Sequence, residues 1–347
     1  MHARLFAFDG LRGLAALSVV LYHFTVAYEE KYGHSDPMVV SIDYGYFGLQ
    51  MFFVISGFVI LMSALKSRTV TDFAVSRLTR LMPAYLFCLA AIFIVVKLSG
   101  RLPDREVTPM EAILNAPMIQ PLIGVPYVDG AHWTLTLEAL FYVVIATCLL
   151  TGWLRRIDVV CAGLLVIAGA RLLLLQMEGS LPPGALALSY YGSLYSWAPF
   201  FVSGIVIHLS WRDGPSLKRH ALLLFGGLIT FAQGGIPLLI VFLLFTALAY
   251  GAANRDVPLL ATKPLVFLGT ISYSLYLVHQ NVGYVIIRSL EMNGVNANLA
   301  ILISLISVIA CAVAINRAIE VPVTRFLRLK YKTRTVTTQV PAAAHQR

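Results

Sequence analysis

The chain has 347 residues, 59% of them hydrophobic and 12% charged, with a mean hydropathy of +0.79. Soluble domains carry about 25% charged residues; half that charge, with apolar runs near 20 residues recurring throughout, indicates an all-α polytopic membrane protein. A soluble enzyme, a disordered chain and a disulfide-stapled secreted domain are excluded. The net charge of +9 lies mostly in short loops between apolar runs, where it sets topology and implies no nucleic-acid partner.

Ten spans are expected, at about 11–28, 45–65, 81–99, 132–151, 157–176, 192–210, 220–233, 236–252, 265–288 and 299–321. The first carries Arg12 within its apolar stretch and no small-residue cleavage site after it, so it reads as an uncleaved helix. Gly234-Gly235-Ile236-Pro237 breaks the run 220–252 into two short helices in a tight hairpin. With ten spans, the loops around Lys66, Arg68, Arg77 and Arg80, around Arg155 and Arg156, around Arg212, Lys218 and Arg219, and around Arg255 and Lys263 fall on one side. The basic residues Arg325, Arg328, Lys330, Lys332 and Arg334 join them, and the positive-inside rule places both termini in the cytoplasm. Residues 1–330 read as one transmembrane domain and 331–347 as a disordered cytoplasmic tail. The outer segment 100–131 holds five of the sixteen prolines and no long apolar run, so it is a candidate cover for an outward-facing cavity.

Ionisable groups inside spans cost about 2.5–3.5 kcal/mol each at mid-helix, which makes them functional candidates. Arg12 and His23 are eleven residues apart, three turns plus about 20°, so they share one stripe roughly 16 Å apart along the axis. Arg12 reads either as a snorkelling topogenic charge or as a ligand-binding group, and His23 either as an interhelical hydrogen bond or as a catalytic base. Arg77 and Arg80 share a helix face at i,i+3; their forks suit phosphate oxygens, and equally a positive-inside anchor. Glu138 lies one to two turns into the fourth span, at a depth comparable with His23, where a carboxylate would orient an imidazole. Ser272, Tyr276 and His279 share one face of the ninth span, a stripe that either glues helices or lines a cavity. The spacing of His132 and Glu138 does not suit a metal, and no metal site is expected. GxSxG, HExxH and P-loop patterns are absent from the sequence.

Five stretches, FDGLRGLAALSVVLYHF (8–24), GYFGLQMFFVISGFVI (45–60), SRLTRLMPAY (76–85), HWTLTLEALFY (132–142) and GTISYSLYLVHQ (269–280), together resemble the membrane-bound acyltransferase-3 family. The resemblance implies a ten-helix bundle in a bacterial cytoplasmic membrane. It also implies O-acyl transfer from cytoplasmic acyl-coenzyme A, a co-substrate and not a bound cofactor, to a hydroxyl of an exported or cell-surface polysaccharide, lipopolysaccharide or related glycan. Acetyl is the family's commonest acyl group. Arg12 and His23 fall on the family's Arg-x10-His pair, Arg77 and Arg80 on its Arg-x-x-Arg, and Glu138 on its Trp-x4-Glu element behind Trp133. Ser272, Tyr273, Tyr276 and His279 fall on its Ser-Tyr…His element, and Ser56 and Tyr142 lie in the matching stretches. By that likeness His23 with Glu138 is catalytic, Arg12, Arg77 and Arg80 bind coenzyme A phosphates, and the remaining residues line the cavity. If the acceptor must first be handed over, a separate extracytoplasmic protein would have to do it. Acylation of a small hydroxylated metabolite, or transport of a lipid-linked glycan, are the alternatives.

Overall fold

The computed structural model describes residues 6–176, 193–254 and 257–339, and all regular structure among them is helical. Helix α1 runs Phe6–Tyr32, with a π-helical turn at His23–Ala27. There follow α2 (Gly48–Lys66), α3 (Val70–Ser99), the short α4 (Pro109–Asn115), α5 (Trp133–Leu150) and α6 (Ile157–Gln176). Then come α7 (Ser193–Asp213), α8 (Leu217–Asn254), α9 (Lys263–Met292), α10 (Ala297–Ile315) and α11 (Val321–Gln339), the last two joined by a second π turn at Asn316–Glu320.

Among the described residues seven helices are long and apolar enough to cross a membrane. Helices α7 and α9 fall outside that set because they are polar, and they are polar because they are interior. Helix α9 buries Ser272, Ser274, His279, Gln280 and Asn281, and α7 buries Ser203, His208 and Ser210. Helix α8 breaks where the sequence predicts, Gly235 taking φ +66°, a left-handed conformation that suits glycine. Its halves fold back on each other, with Gly226 and Gly227 facing Phe242 and Leu239. The C-terminal helix continues to Gln339, past residue 331, where composition suggests a disordered tail. It is held against α3 by Thr324 donating to the Thr79 carbonyl at 2.8 Å and by Tyr331 donating to Asp72 at 2.9 Å. Arg255 and residues 340–347 lie outside the described residues.

Helices α1 and α9 pack parallel and set the frame for everything else. A Cβ on Gly13 would stand 2.3 Å from the Leu265 carbonyl oxygen, and one on Gly269 would stand 1.8 Å from the Asp9 carbonyl oxygen. Only hydrogen at these positions allows the two backbones this close, the means by which helices associate where lipid supplies no hydrophobic drive. Gly57 and Gly204 bring α2 onto α7 in the same way: a Cβ added at either would stand 2.1 Å and 1.9 Å from the Phe201 and Val54 carbonyl oxygens, respectively. At the far end of the α1–α9 pair Tyr28 donates to Glu291 at 3.2 Å, and His34 bonds the same carboxylate at 2.6 Å.

The segment 100–131 is ordered by its own polar knot. Tyr85 donates to the Asn115 carbonyl at 2.7 Å, and the Asn115 amide donates to the Pro126 carbonyl at 2.9 Å. Lys31 pairs with Asp104 at 2.6 Å. Partial burial pushes the Asp104 carboxyl up, but Lys31 and Tyr32 outweigh it and hold it below its ordinary value.

Candidate active site

Arg12 of α1, Arg77 and Arg80 of α3 and Glu138 of α5 line one cavity of about 70 Å³, with Ser56, Ser272, Tyr273 and Tyr276 in its walls. It is a narrow space walled by side chains of α1, α2, α3, α5 and α9. The spacing of Arg77 and Arg80 puts both on the face of α3 that meets the cavity. Arg77 is 7% exposed, yet its Nε and one terminal nitrogen have no hydrogen-bond partner. Its guanidinium stands 6.0 Å from the ring centre of Tyr142, whose hydroxyl donates to Glu138 at 2.5 Å. Among the described residues no ion pair closes between Glu138 and the three arginines. Three guanidiniums face the cavity and one carboxylate stands in its lining, an excess of positive charge at that surface that an anionic ligand relieves.

The remaining wall groups already have partners and shape the cavity. Tyr273 donates to the Leu81 carbonyl and Ser272 to the Gly269 carbonyl, both at 2.8 Å. The Tyr276 hydroxyl donates to the Ala131 carbonyl at 2.7 Å and lies 2.7 Å from the Thr134 hydroxyl, which is itself 3.3 Å from that carbonyl.

His23 stands at the other end of this stripe, beside His279. Ten residues beyond the Gly13–Gly269 contact on each helix, about 15 Å further along, the two rings meet with their centres 4.9 Å apart. His23 Nδ1 lies 2.9 Å from the Val19 carbonyl oxygen, and His279 Nδ1 lies 2.8 Å from that of Tyr276. A carbonyl only accepts, so both Nδ1 atoms carry the proton in the neutral rings. His279 Nε2, 3.3 Å from His23 Nδ1, then offers a second acceptor to that N–H. The lone pair of His23 is left on Nε2, which has no hydrogen-bond partner among the described residues, on a ring that is half-buried. The π turn that begins at His23 widens the helix there, a distortion frequent at functional sites.

Sequence depth-counting pairs His23 with Glu138, and the structure does not. Glu138 bonds Tyr142 and faces the arginines, while His23 bonds Val19 and His279. Ser56, Ser272, Tyr273 and Tyr276 line the cavity. Trp133 instead packs on Trp197 with ring centres 5.3 Å apart, Tyr142 stands behind Glu138, and His279 sits behind Tyr276, its ring centre 5.5 Å away.

Sequence reasoning misses a clamp on α9. His132 donates from Nε2 to the Leu277 carbonyl at 3.1 Å, and Asp129 accepts from the Asn281 N–H at 3.0 Å. A regular helix pairs those two backbone groups with each other; here side chains from the outer segment engage both, and His279 lies between them. The Asp129-Gly130 turn ahead of His132 is the available signal, since Asp129 also accepts from the Ala131 N–H at 2.9 Å as a cap. Arg105, which donates to Asn281 at 3.0 Å, belongs to the same knot.

The described residues contain no cluster of side chains able to hold a metal ion. No curated protein and no solved structure matches the chain at a significant level. Residues 5–317 match the acyltransferase domain of the acyltransferase-3 type, a match that takes in the arginine cavity, the histidine pair and the clamp alike. With nearly its whole length inside that match, the chain belongs to the acyltransferase-3 family of multi-pass membrane transferases.

Proposed function

We propose that the protein moves an acyl group, acetyl being the first donor to test, from cytoplasmic acyl-coenzyme A to a hydroxyl of an exported or cell-surface glycan. It does so as a ten-span protein of a bacterial cytoplasmic membrane with both termini inside. The ten crossings are the seven most apolar helices, α8 counting twice, with the polar α7 and α9 added.

The observation that carries this reading is the cluster of three guanidiniums on one cavity, with two nitrogens of buried Arg77 left without a partner. Arg12, Arg77 and Arg80 neutralise the diphosphate of the donor, and Glu138 with Tyr142 keeps the three cations from driving one another apart. The pantetheine arm runs along the narrow cavity past Tyr276 towards the histidines. There the acceptor O–H gives its proton to His23 Nε2 as its oxygen attacks the thioester carbonyl. The C–S bond breaks, and the departing coenzyme A thiolate takes up that proton.

The test supplies labelled acetyl-coenzyme A on the cytoplasmic side of membrane vesicles and counts label in the glycan fraction. Label that depends strictly on acyl-coenzyme A supports the enzyme; glycan crossing the membrane without any acyl donor would establish a transporter instead. Arg77→Met should raise KM for the donor about tenfold or more, the cost of a lost charged hydrogen bond, with a smaller effect on kcat. His279→Leu should lower kcat by about tenfold to a hundredfold, with KM nearly unchanged and the pH profile of kcat displaced, because the His23 N–H loses an acceptor. His279→Gln, which still presents an acceptor oxygen, should restore part of that rate. Equal losses in the two variants would make His279 a packing residue only.

A further inference from the structure

A second concavity, about 980 Å³ in volume, lies between the C-terminal end of α2, the first turns of α3 and the start of α11. Six cations line it, Lys66, Arg68, Arg80, Arg325, Arg328 and Lys332, against two carboxylates. Both carboxylates are engaged, Asp72 by Tyr331 and the Thr69 cap, and Glu320 by Ser274 and Asn316. Among the described residues the side chains of Lys66, Arg68, Arg80 and Arg325 form no hydrogen bond or ion pair. Arg80 lines both this groove and the narrow cavity, so one side chain is common to the two.

We infer that this groove is the docking site for the phosphorylated nucleoside end of the donor, its cations gripping a phosphomonoester separate from the diphosphate held by Arg12, Arg77 and Arg80. The inference rests on the acyl-coenzyme A reading and deepens it. The groove, about 980 Å³ in volume, has room for a nucleoside and shares Arg80 with the arginine cavity. Two cation clusters sharing one arginine match a ligand whose two anionic groups are joined through a ribose. A phosphomonoester carries up to two charges, and guanidinium forks meet it bidentately.

Lipid headgroups carry the same phosphate chemistry, so the experiment separates the two sources. The full chain is placed in nanodiscs of neutral phosphatidylcholine, and affinities are measured for acetyl-coenzyme A and for its dephospho form, which lacks the 3′-phosphate. The wild type should bind acetyl-coenzyme A about tenfold more tightly than the dephospho form. The double variant Arg68→Gln/Arg325→Gln should lose that margin, binding both forms at the wild type's dephospho affinity. Lys66→Gln, on another element, should lose part of it, which guards against a local folding defect in the double variant. Equal affinity of the wild type for both forms would overturn the groove assignment while leaving the acyltransferase reading intact; no binding of either form would remove the donor reading itself. If the variants change only the response to added phosphatidylglycerol, and not the margin between the two forms, the groove is a lipid site and the inference is wrong.

Discussion

His23→Ala should reduce acyl transfer by about a thousandfold or more while the protein still inserts and remains monodisperse. A positioned general base contributes about 10²–10⁴ in rate, and a thousandfold loss corresponds to about 4 kcal/mol of barrier. The expectation rests on the proton assignment. Both Nδ1 atoms are committed to backbone carbonyls, so His23 Nε2 is the lone pair left to receive a proton. The vesicle assay above reads the result directly, with donor binding measured in parallel. Donor affinity should change little, because His23 does not line the arginine cavity. Full activity in the variant would reduce His23 to a strut between α1 and α9. Rapid-quench labelling distinguishes a base from a nucleophile: acyl trapped on His23 without acceptor would mean the ring itself carries the group.

Gly269→Ala should disrupt the fold more than any substitution of a cavity residue. A single methyl there meets the Asp9 carbonyl oxygen at 1.8 Å, and backbone cannot yield as a side-chain tip can. Overpacking by a methylene in a well-filled core costs about 1–3 kcal/mol; separating two helices along their contact should reach the top of that range or exceed it. The control is Gly163→Ala in α6, where an added Cβ meets nothing within 4 Å. Helix propensity alone should make that change neutral or stabilising by roughly 0.5–1 kcal/mol. Unfolding midpoints of the purified variants decide the matter. Comparable midpoints would show that α1 and α9 can slide apart cheaply, and the register argument for the histidine pair would fall.

That register explains which parts of the molecule are legible in the sequence. Apolar runs locate most spans, and Gly234 to Pro237 marks the hairpin, because both signals are local. The i, i+4, i+7 stripe of Ser272, Tyr276 and His279 is local too, and its faces are where the helical period puts them. The neighbour of His23 is 256 residues away and depends on how two helices slide past each other, which Gly13 and Gly269 fix through contacts no periodicity reveals. The neighbours of Glu138 are illegible for the same reason: counting residues from the membrane surface gives a depth along one axis, not the face or lateral position at which α5 presents it. At the C-terminus, the polar composition of the last helix suggests disorder, but Thr324 and Tyr331 find partners on the overhanging first turns of α3. Thirty residues of α3 exceed the roughly 20 that a bilayer requires, and the excess is what the last helix packs on.

The clamp on α9 ties residues 129–132 to the setting of the histidine pair. His132 and Asp129 bond the Leu277 carbonyl and the Asn281 N–H on either side of His279, so the placement of that ring depends on residues far from it in the chain. The segment behaves as a keystone: shortening it would not unblock the chamber beneath but would let the imidazole it braces drift out of alignment. Attempts to widen acceptor choice by trimming 100–131 should therefore lose turnover before they gain breadth, unless the 129–132 corner is kept whole.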